Sequence, residues 1–241
     1  MFSIFMRLLL FDIDGTLVSV ERNASRAMLR RVVEEVFSIA LPTTFEFQLG
    51  GKTDYQIMTE TAQMLDLPTS LVDEHREKIQ TTLTAHTEPL SNPVTMRLLD
   101  GVHSLVDSLA KRHDVALALL TGNLKTTAYL KLRPHGLDRH FPVGAFGCDH
   151  IDRAMLPPIA LERANIHYTN FTVSGKKFSP ENTLIIGDTL NDIRCAKAHG
   201  IKTLAVATGA VSSETLRKAG AEFVVENFVD MRAITDIATN F

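Results

Sequence analysis

Residues 8–18 read LLLFDIDGTLV. Three Leu and a Phe lead directly into two carboxylates, Asp12 and Asp14, set one residue apart and followed by Gly15 and Thr16. A short apolar run closed by Gly and polar residues suits a fully buried strand better than a helix. The same pattern returns at 115–121 (VALALLT), 143–147 (VGAFG), 183–188 (TLIIGD), 203–208 (TLAVAT) and 222–225 (EFVV). Between these runs the period changes. Val102, Leu105, Val106 and Leu109 fall on one face of a helix over 101–113, and LPPIALERA (156–164) and NDIRCAKAHG (191–200) also read as helices, with Gly200 as a C-terminal stop. Strands alternating with helices predict an α/β fold with a parallel sheet covered on both faces.

One stretch breaks this rhythm. Between Ser19 and Pro93 the sequence offers no convincing strand, only helical segments at 24–39, 53–66 and 70–85. That span is too long for a loop in a compact domain. It is expected to be an all-helical domain, residues 19–94, inserted into an α/β core made of 1–18 and 95–241. Linker passes near 17–20 and 90–98 would join the two, with Pro89 and Pro93 marking the return.

Composition narrows the function classes. The chain has 241 residues, 45% apolar and 22% charged, with a net charge of −3. This charge gives no electrostatic argument for nucleic acid or an anionic membrane as partner. No low-complexity tract or solenoid repeat is present. The two cysteines, Cys148 and Cys195, form no C-x-x-C pair and no disulfide framework, which suits a reducing compartment. The apolar start MFSIFMRLLLF lacks a charged leading region, is interrupted by Arg7 and is too short to span a bilayer. A cytoplasmic protein whose fold starts near Met6 is the expectation.

Ligands of open α/β sheets bind beyond the carboxyl ends of the strands. The residues at those ends are Asp12 and Asp14, then Thr121, Gly122 and Asn123, then Asp188 and Asp192. Acids brought so close need a cation to stay ionised. A hard divalent ion such as Mg²⁺, which keeps waters beside carboxylates and a phosphate, is the natural partner. A phosphate ester or anhydride follows as substrate. A carboxylate can serve as nucleophile in phosphoryl transfer, with a second acid protonating the leaving oxygen.

Taken together and in this order, FDIDGTL (11–17), LLTGN (119–123) and IIGDTLND (185–192) resemble the first, second and fourth motifs of the haloacid dehalogenase superfamily. The resemblance covers nearly the whole chain. It implies a Rossmann-like core with an inserted C1-type helical cap, and the region 187–227 is similar to phosphoglycolate phosphatase-like members. By this resemblance Asp12 is the nucleophile and a metal ligand. Asp14 is the acid/base and offers its backbone carbonyl to the metal. Asp188 is the third protein ligand to Mg²⁺. Asp192 stands behind the ligands and orients a metal-bound water or the third-motif base. Thr121 and the Gly122 N–H, with Asn123 beside them, would bind phosphoryl oxygens.

The third motif departs from the family pattern. The family usually has a Lys ahead of the fourth motif; here DRAMLPPIALERA (152–164) supplies Arg153. Lys176 or Lys177, in VSGKKFSP, could serve instead. LGGKTD (49–54) resembles the cap loop that reaches over the active site, so Lys52 could pair with an anionic end of the substrate. Alternatively Gly50-Gly51 is only a turn, with Lys52 solvated ahead of a capping Thr53 or Asp54.

The acid at position 14 favours phosphatases or phosphomutases over dehalogenases and ion pumps. The implied activity is therefore Mg²⁺-dependent hydrolysis of a small phosphorylated metabolite, phosphoglycolate being one candidate, by a monomer or homodimer. A sugar-phosphate mutase is the alternative. A non-catalytic phosphate-binding protein fits less well, since it would have no use for Asp12 and Asp14.

Overall fold

The computed structural model describes residues 6–168 and 177–241. Its strands are β1 (Arg7–Phe11), β2 (Val18–Val20), β3 (Met96–Leu98), β4 (Val115–Leu120), β5 (Gly144–Ala145), β6 (Thr183–Gly187), β7 (Lys202–Val206) and β8 (Phe223–Val225). Six of them form one sheet in the order β5-β4-β1-β6-β7-β8, and every neighbouring pair is parallel. The six apolar runs read from the sequence are these six strands.

β1 lies in the middle of the sheet, with Leu9 opposite Leu117 of β4 and Leu184 of β6. Side chains alternate across a strand, so its two faces feed two cores. Leu9 and Phe11 pack with Val102, Leu105, Val106 and Leu109 of helix α5 (Val102–Ala110). Leu8 and Leu10 pack on the opposite face with Ala160 and Ala164 of α7 (Leu156–Tyr168) and Cys195 and Ala196 of α8 (Leu190–Ala198). Buried on both faces, β1 has to be apolar throughout, which is why its run is continuous rather than alternating. Gly200, at φ +65°, ends the α8 turn as expected.

The segment between β2 and β3 is helical: α1 (Arg22–Phe37), α2 (Asp54–Met64), α3 (Ser70–Glu74) and α4 (Arg76–Thr87). It has its own apolar cluster, in which Val32, Val33 and Val36 meet Tyr55, Met58 and Ile79. That cluster also reaches Leu124 and Cys148 of the α/β part. The helix expected over 70–85 is two helices. The backbone leaves helical geometry at His75, whose ring Nδ1 lies 2.8 Å from the Leu71 carbonyl.

A second difference concerns the two linker passes. They are not plain linkers and the stretch after Val18 is not free of strand. Val18–Val20 pairs antiparallel with Met96–Leu98, Ser19 standing opposite Arg97. Three-residue strands are too short to show a period of two, so the pattern was invisible in the sequence. Helices α6 (Lys125–Leu132), α9 (Ser213–Lys218) and α10 (Met231–Asn240) were also not foreseen. Among the described residues no helix is long and apolar enough to cross a membrane.

Candidate active site

The β1 strand ends where its carboxylates begin. The Asp12 N–H still donates to the Ile186 carbonyl of β6, at 2.9 Å. Then the chain folds back, with the Leu17 and Val18 N–H groups both donating to the Ile13 carbonyl, at 2.9 and 3.0 Å. Gly15 makes this turn possible at φ +83°, and a Cβ there would collide with the Asp188 carboxylate. Asp188 arrives from the end of β6, and Gly209, beyond β7, crowds it from another side in the same way.

Oxygens of Asp12, Asp188 and Asp192 all lie within 4.8 Å of one another, and all three residues are buried. Burial pushes the Asp12 carboxyl up to about 7; Arg153 opposes the shift, while Asp192 and Asp14 add to it. Burial, then the charges of Asp12 and Asp192, push Asp188 up to about 8. A buried acid cluster of this kind fits a divalent cation.

The three acids differ in what already holds them. Asp192 accepts from the Thr189 N–H and hydroxyl on Oδ2, at 3.0 and 2.6 Å, closing a capping box at the start of α8. Its Oδ1 accepts from Arg153 Nη2 at 2.6 Å. Asp188 receives only the Thr16 hydroxyl, at 3.2 Å, among the described contacts. Asp12 and Asp188 therefore retain oxygen lone pairs for a cation, whereas Asp192 is committed to the helix cap and the arginine.

Arg153 sits at the base of this cluster, 4% exposed, in a turn just ahead of α7. Its Nη2 is 3.0 Å from Asp12 Oδ1 and also donates to the Leu120 carbonyl, at 3.3 Å. Nη1 donates to the Gly51 carbonyl at 3.2 Å. Burial works against the guanidinium charge, but Asp12 and Asp192 outweigh it and hold the group firmly protonated. Of the other third-motif candidates, Lys177 is exposed, and Lys176 lies outside the described residues.

Thr121 follows β4 and is fully buried. Its hydroxyl oxygen accepts from Asn123 Nδ2 at 2.8 Å, and the same amide nitrogen donates to Asp14 Oδ2 at 2.6 Å. Gly122 passes directly under the inserted segment. Its carbonyl accepts from the Asp54 N–H at 2.8 Å, and a Cβ at 122 would run into the Lys52 carbonyl.

These strand ends, in this order along the chain, match a family model described as haloacid dehalogenase-like hydrolase over residues 9–206. The chain belongs to the haloacid dehalogenase-like hydrolases. It is 26% identical over 234 residues to a pyrophosphatase PpaX of Halalkalibacterium halodurans, covering 95% of this chain and 96% of that one. It is 23% identical over 236 residues to a phosphoglycolate phosphatase of Vibrio vulnificus, covering 94% of each. Among solved structures it superposes on a hydrolase from Pseudomonas syringae with a TM-score of 0.67 at 18% identity, covering 98% of this chain and 100% of the other.

Two residues that sequence reasoning missed stand among these side chains. Lys131, on α6, places Nζ 2.8 and 2.7 Å from the two carboxylate oxygens of Asp14 and 2.6 Å from Asn123 Oδ1. The clue available was electrostatic: Asp14 needed a counter-charge, and no cation near it in sequence supplied one. Asp54, at the start of α2, accepts from the Leu124 N–H at 2.8 Å. Burial pushes its carboxyl up to about 6, against the pull of Lys131 and that N–H.

The loop 49–54 does lie over the site. Thr53 is the α2 cap, accepting from the Gln56 N–H at 3.1 Å, and its hydroxyl donates to the Ile151 carbonyl at 2.6 Å. Lys52 lines the cavity, but its ammonium is hydrogen-bonded to Glu60, which also accepts from Gln56 Nε2 at 3.0 Å. The cavity is about 870 Å³ and has Asp12, Asp14, Thr121, Arg153 and Asp188 along its lining.

Proposed function

We propose that this hydrolase is a Mg²⁺-dependent phosphatase acting on a small phosphomonoester, with Asp12 as nucleophile and Asp14 as general acid and base. The observation that carries the reading is the convergence of Asp12, Asp188 and Arg153 with Thr121 on the lining of one cavity, beside a clamped Asp14. The names of the PpaX and phosphoglycolate phosphatase relatives support a phosphorylated substrate.

Asp12, Asp188 and the Asp14 backbone carbonyl would hold Mg²⁺, with Asp192 behind them. The bound cation would neutralise the clustered acids and the phosphoryl charge. In the first half of the reaction a carboxylate oxygen of Asp12 attacks phosphorus in line. The bond from phosphorus to the alcohol oxygen breaks, and Asp14 delivers a proton to that oxygen. In the second half Asp14 takes a proton from water as the water attacks the aspartyl-phosphate, releasing phosphate and restoring Asp12. Arg153, Thr121 and the Gly122 N–H stabilise charge on the equatorial oxygens, which is most of what phosphoryl transfer asks of a protein.

Residues 19–94 act as a cap over a core of 1–18 and 95–241. The contacts of Gly51, Thr53 and Asp54 with core loops, together with the short β2–β3 ribbon, support this division. Both cysteines are unpaired thiols, which suits a cytoplasmic setting.

The test is phosphate release from a panel of phosphomonoesters with Mg²⁺, by the wild type and by Asp12→Asn. Turnover lost in Asp12→Asn, with the fold intact and no trapped phosphoenzyme, is the expected result. Normal turnover by Asp12→Asn would overturn the nucleophile assignment. Isomerised sugar phosphate without free phosphate would point to the mutase instead.

A further inference from the structure

The cavity over Asp12 has two unlike sides. The core side is mostly polar, with Leu190 and Val211 as exceptions. The inserted segment supplies Met28 and Leu29 of α1, the loop residue Leu49, Ile57 of α2 and Leu83 of α4. A volume of about 870 Å³ is near the upper end of ordinary ligand pockets. A phosphomonoester of a two-carbon alcohol, bound with its phosphorus beside Asp12, would fill only a small part of that space.

Four cations line the cavity among the described residues, and three of them are already paired with carboxylates. Arg153 is held by Asp12 and Asp192, Lys131 by Asp14, and Lys52 by Glu60. Arg194 is exposed and bonded to the Asn191 amide. Asp54, also on the lining, adds a carboxyl that accepts from the Leu124 N–H.

From the apolar walls beside three carboxylate-paired cations, we infer that the substrate's leaving group is an uncharged alcohol with an apolar body, an alkyl or aryl group rather than a short carboxylate-bearing or phosphate-bearing one. The inference rests on the phosphatase reading and narrows it. A methylene buried against Met28, Ile57 and Leu83 favours the bound ester through the hydrophobic effect. An anionic leaving group would meet Asp54 and, away from the exposed Arg194, only cations already paired with carboxylates, which costs binding.

The experiment measures kcat/KM of the Mg²⁺-loaded protein for ethyl, butyl and hexyl phosphate and for 2-phosphoglycolate. Each added methylene should raise kcat/KM about threefold, and hexyl phosphate should exceed 2-phosphoglycolate by at least about tenfold. Met28→Lys, which places a cation on the apolar wall at a half-buried position, should narrow or reverse that ratio. A flat or falling series, or preference for 2-phosphoglycolate by the wild type, overturns the inference even if Met28→Lys does not fold. Acetyl phosphate separates the two levels of failure, because its leaving group barely enters the apolar chamber. If acetyl phosphate is hydrolysed and the series is flat, only the leaving-group inference falls. If acetyl phosphate and every ester are inert, the phosphatase reading falls with it.

Discussion

Lys131 holds both carboxylate oxygens of Asp14, at 2.8 and 2.7 Å, from a helix more than a hundred residues away in sequence. Asn123 adds a third contact, 2.6 Å from Asp14 Oδ2, and joins the pair to the Thr121 hydroxyl. A side chain that must give and take protons at a fixed place gains from being held in one orientation.

Lys131→Ala should therefore lower kcat by about 10- to 100-fold while changing KM less, a positioning loss smaller than removal of a whole general acid. Lys131→Arg should recover part of the loss, since its charge remains while its planar fork fits Asp14 and Asn123 imperfectly. Steady-state kinetics on the two variants, with circular dichroism as a fold control, check this. Equal kcat in Lys131→Ala and wild type would make the ion pair an incidental contact.

Arg153 serves four acceptors at once: Asp12, Asp192, and the carbonyls of Leu120 and Gly51. Arg153→Ala should cost about a hundred- to a thousandfold in kcat, as loss of a donor aimed at transition-state charge does elsewhere. It should also lower stability, because Asp12 and Asp192 would be left as buried carboxylates without their counter-ion. Arg153→Lys should fall between, since one ammonium cannot reproduce the spread of contacts. Lys177→Ala, at an exposed position, should stay near wild type. Kinetics and thermal melts on the three variants measure both effects.

The contrast between these two cations shows what the sequence could and could not reveal. Arg153 was legible because it precedes a helix-forming segment ahead of the fourth motif, where the family resemblance expects a basic residue. The sheet was legible because parallel strands buried on both faces, such as Leu8–Phe11 and Leu184–Ile186, must be continuous apolar runs. Lys131 was hidden because its helix, KTTAYLKL, mixes Thr and Lys without a clear apolar stripe, and its partner is distant in sequence. The β2–β3 ribbon was hidden because its strands of three residues carry no period. The pairing of Lys52 with Glu60 spans eight residues across a helix start, so it depends on a loop conformation that no propensity specifies.

Cation binding should depend on pH in a definite direction. In the metal-free protein burial raises Asp12 to about 7 and Asp188 to about 8, both above the ordinary carboxylate value of 3.8. Below those values the acids hold protons that a cation must displace, so Mg²⁺ affinity should rise between about pH 6 and pH 8, with proton uptake by the buffer. Linkage fixes the sign for stability too. The folded metal-free chain holds more protons than the unfolded chain between pH 3.8 and about 8. The contribution of these acids to folding therefore weakens as pH rises through that window. Mg²⁺ should restore the melting temperature most at its upper end. Calorimetric titration in two buffers of different ionisation enthalpy, with melts at pH 6 and 8, tests both signs.

The last prediction concerns the seam between the inserted helices and the core. Gly122 is packed so closely under Lys52 that a Cβ would enter the Lys52 carbonyl, and its own carbonyl holds the Asp54 N–H. The contact is backbone on backbone, so no side chain can swing aside to relieve it. Gly122→Ala must then lift residues 52–54 from the core or distort the turn after Thr121, and either displacement should cost about 1–3 kcal/mol of stability. Lifting the segment also weakens the Asp54 bond to the Leu124 N–H and the Arg153 bond to Gly51. The effect should thus appear in KM as well as kcat, because the cavity wall and the arginine shift together. Asp54→Asn, which retains an acceptor for Leu124, should instead leave the seam nearly intact. Kinetics and denaturant melts on both variants decide the point: a Gly122→Ala protein with wild-type KM and stability would show that the seam opens freely and that residues 52–54 do not define the substrate chamber.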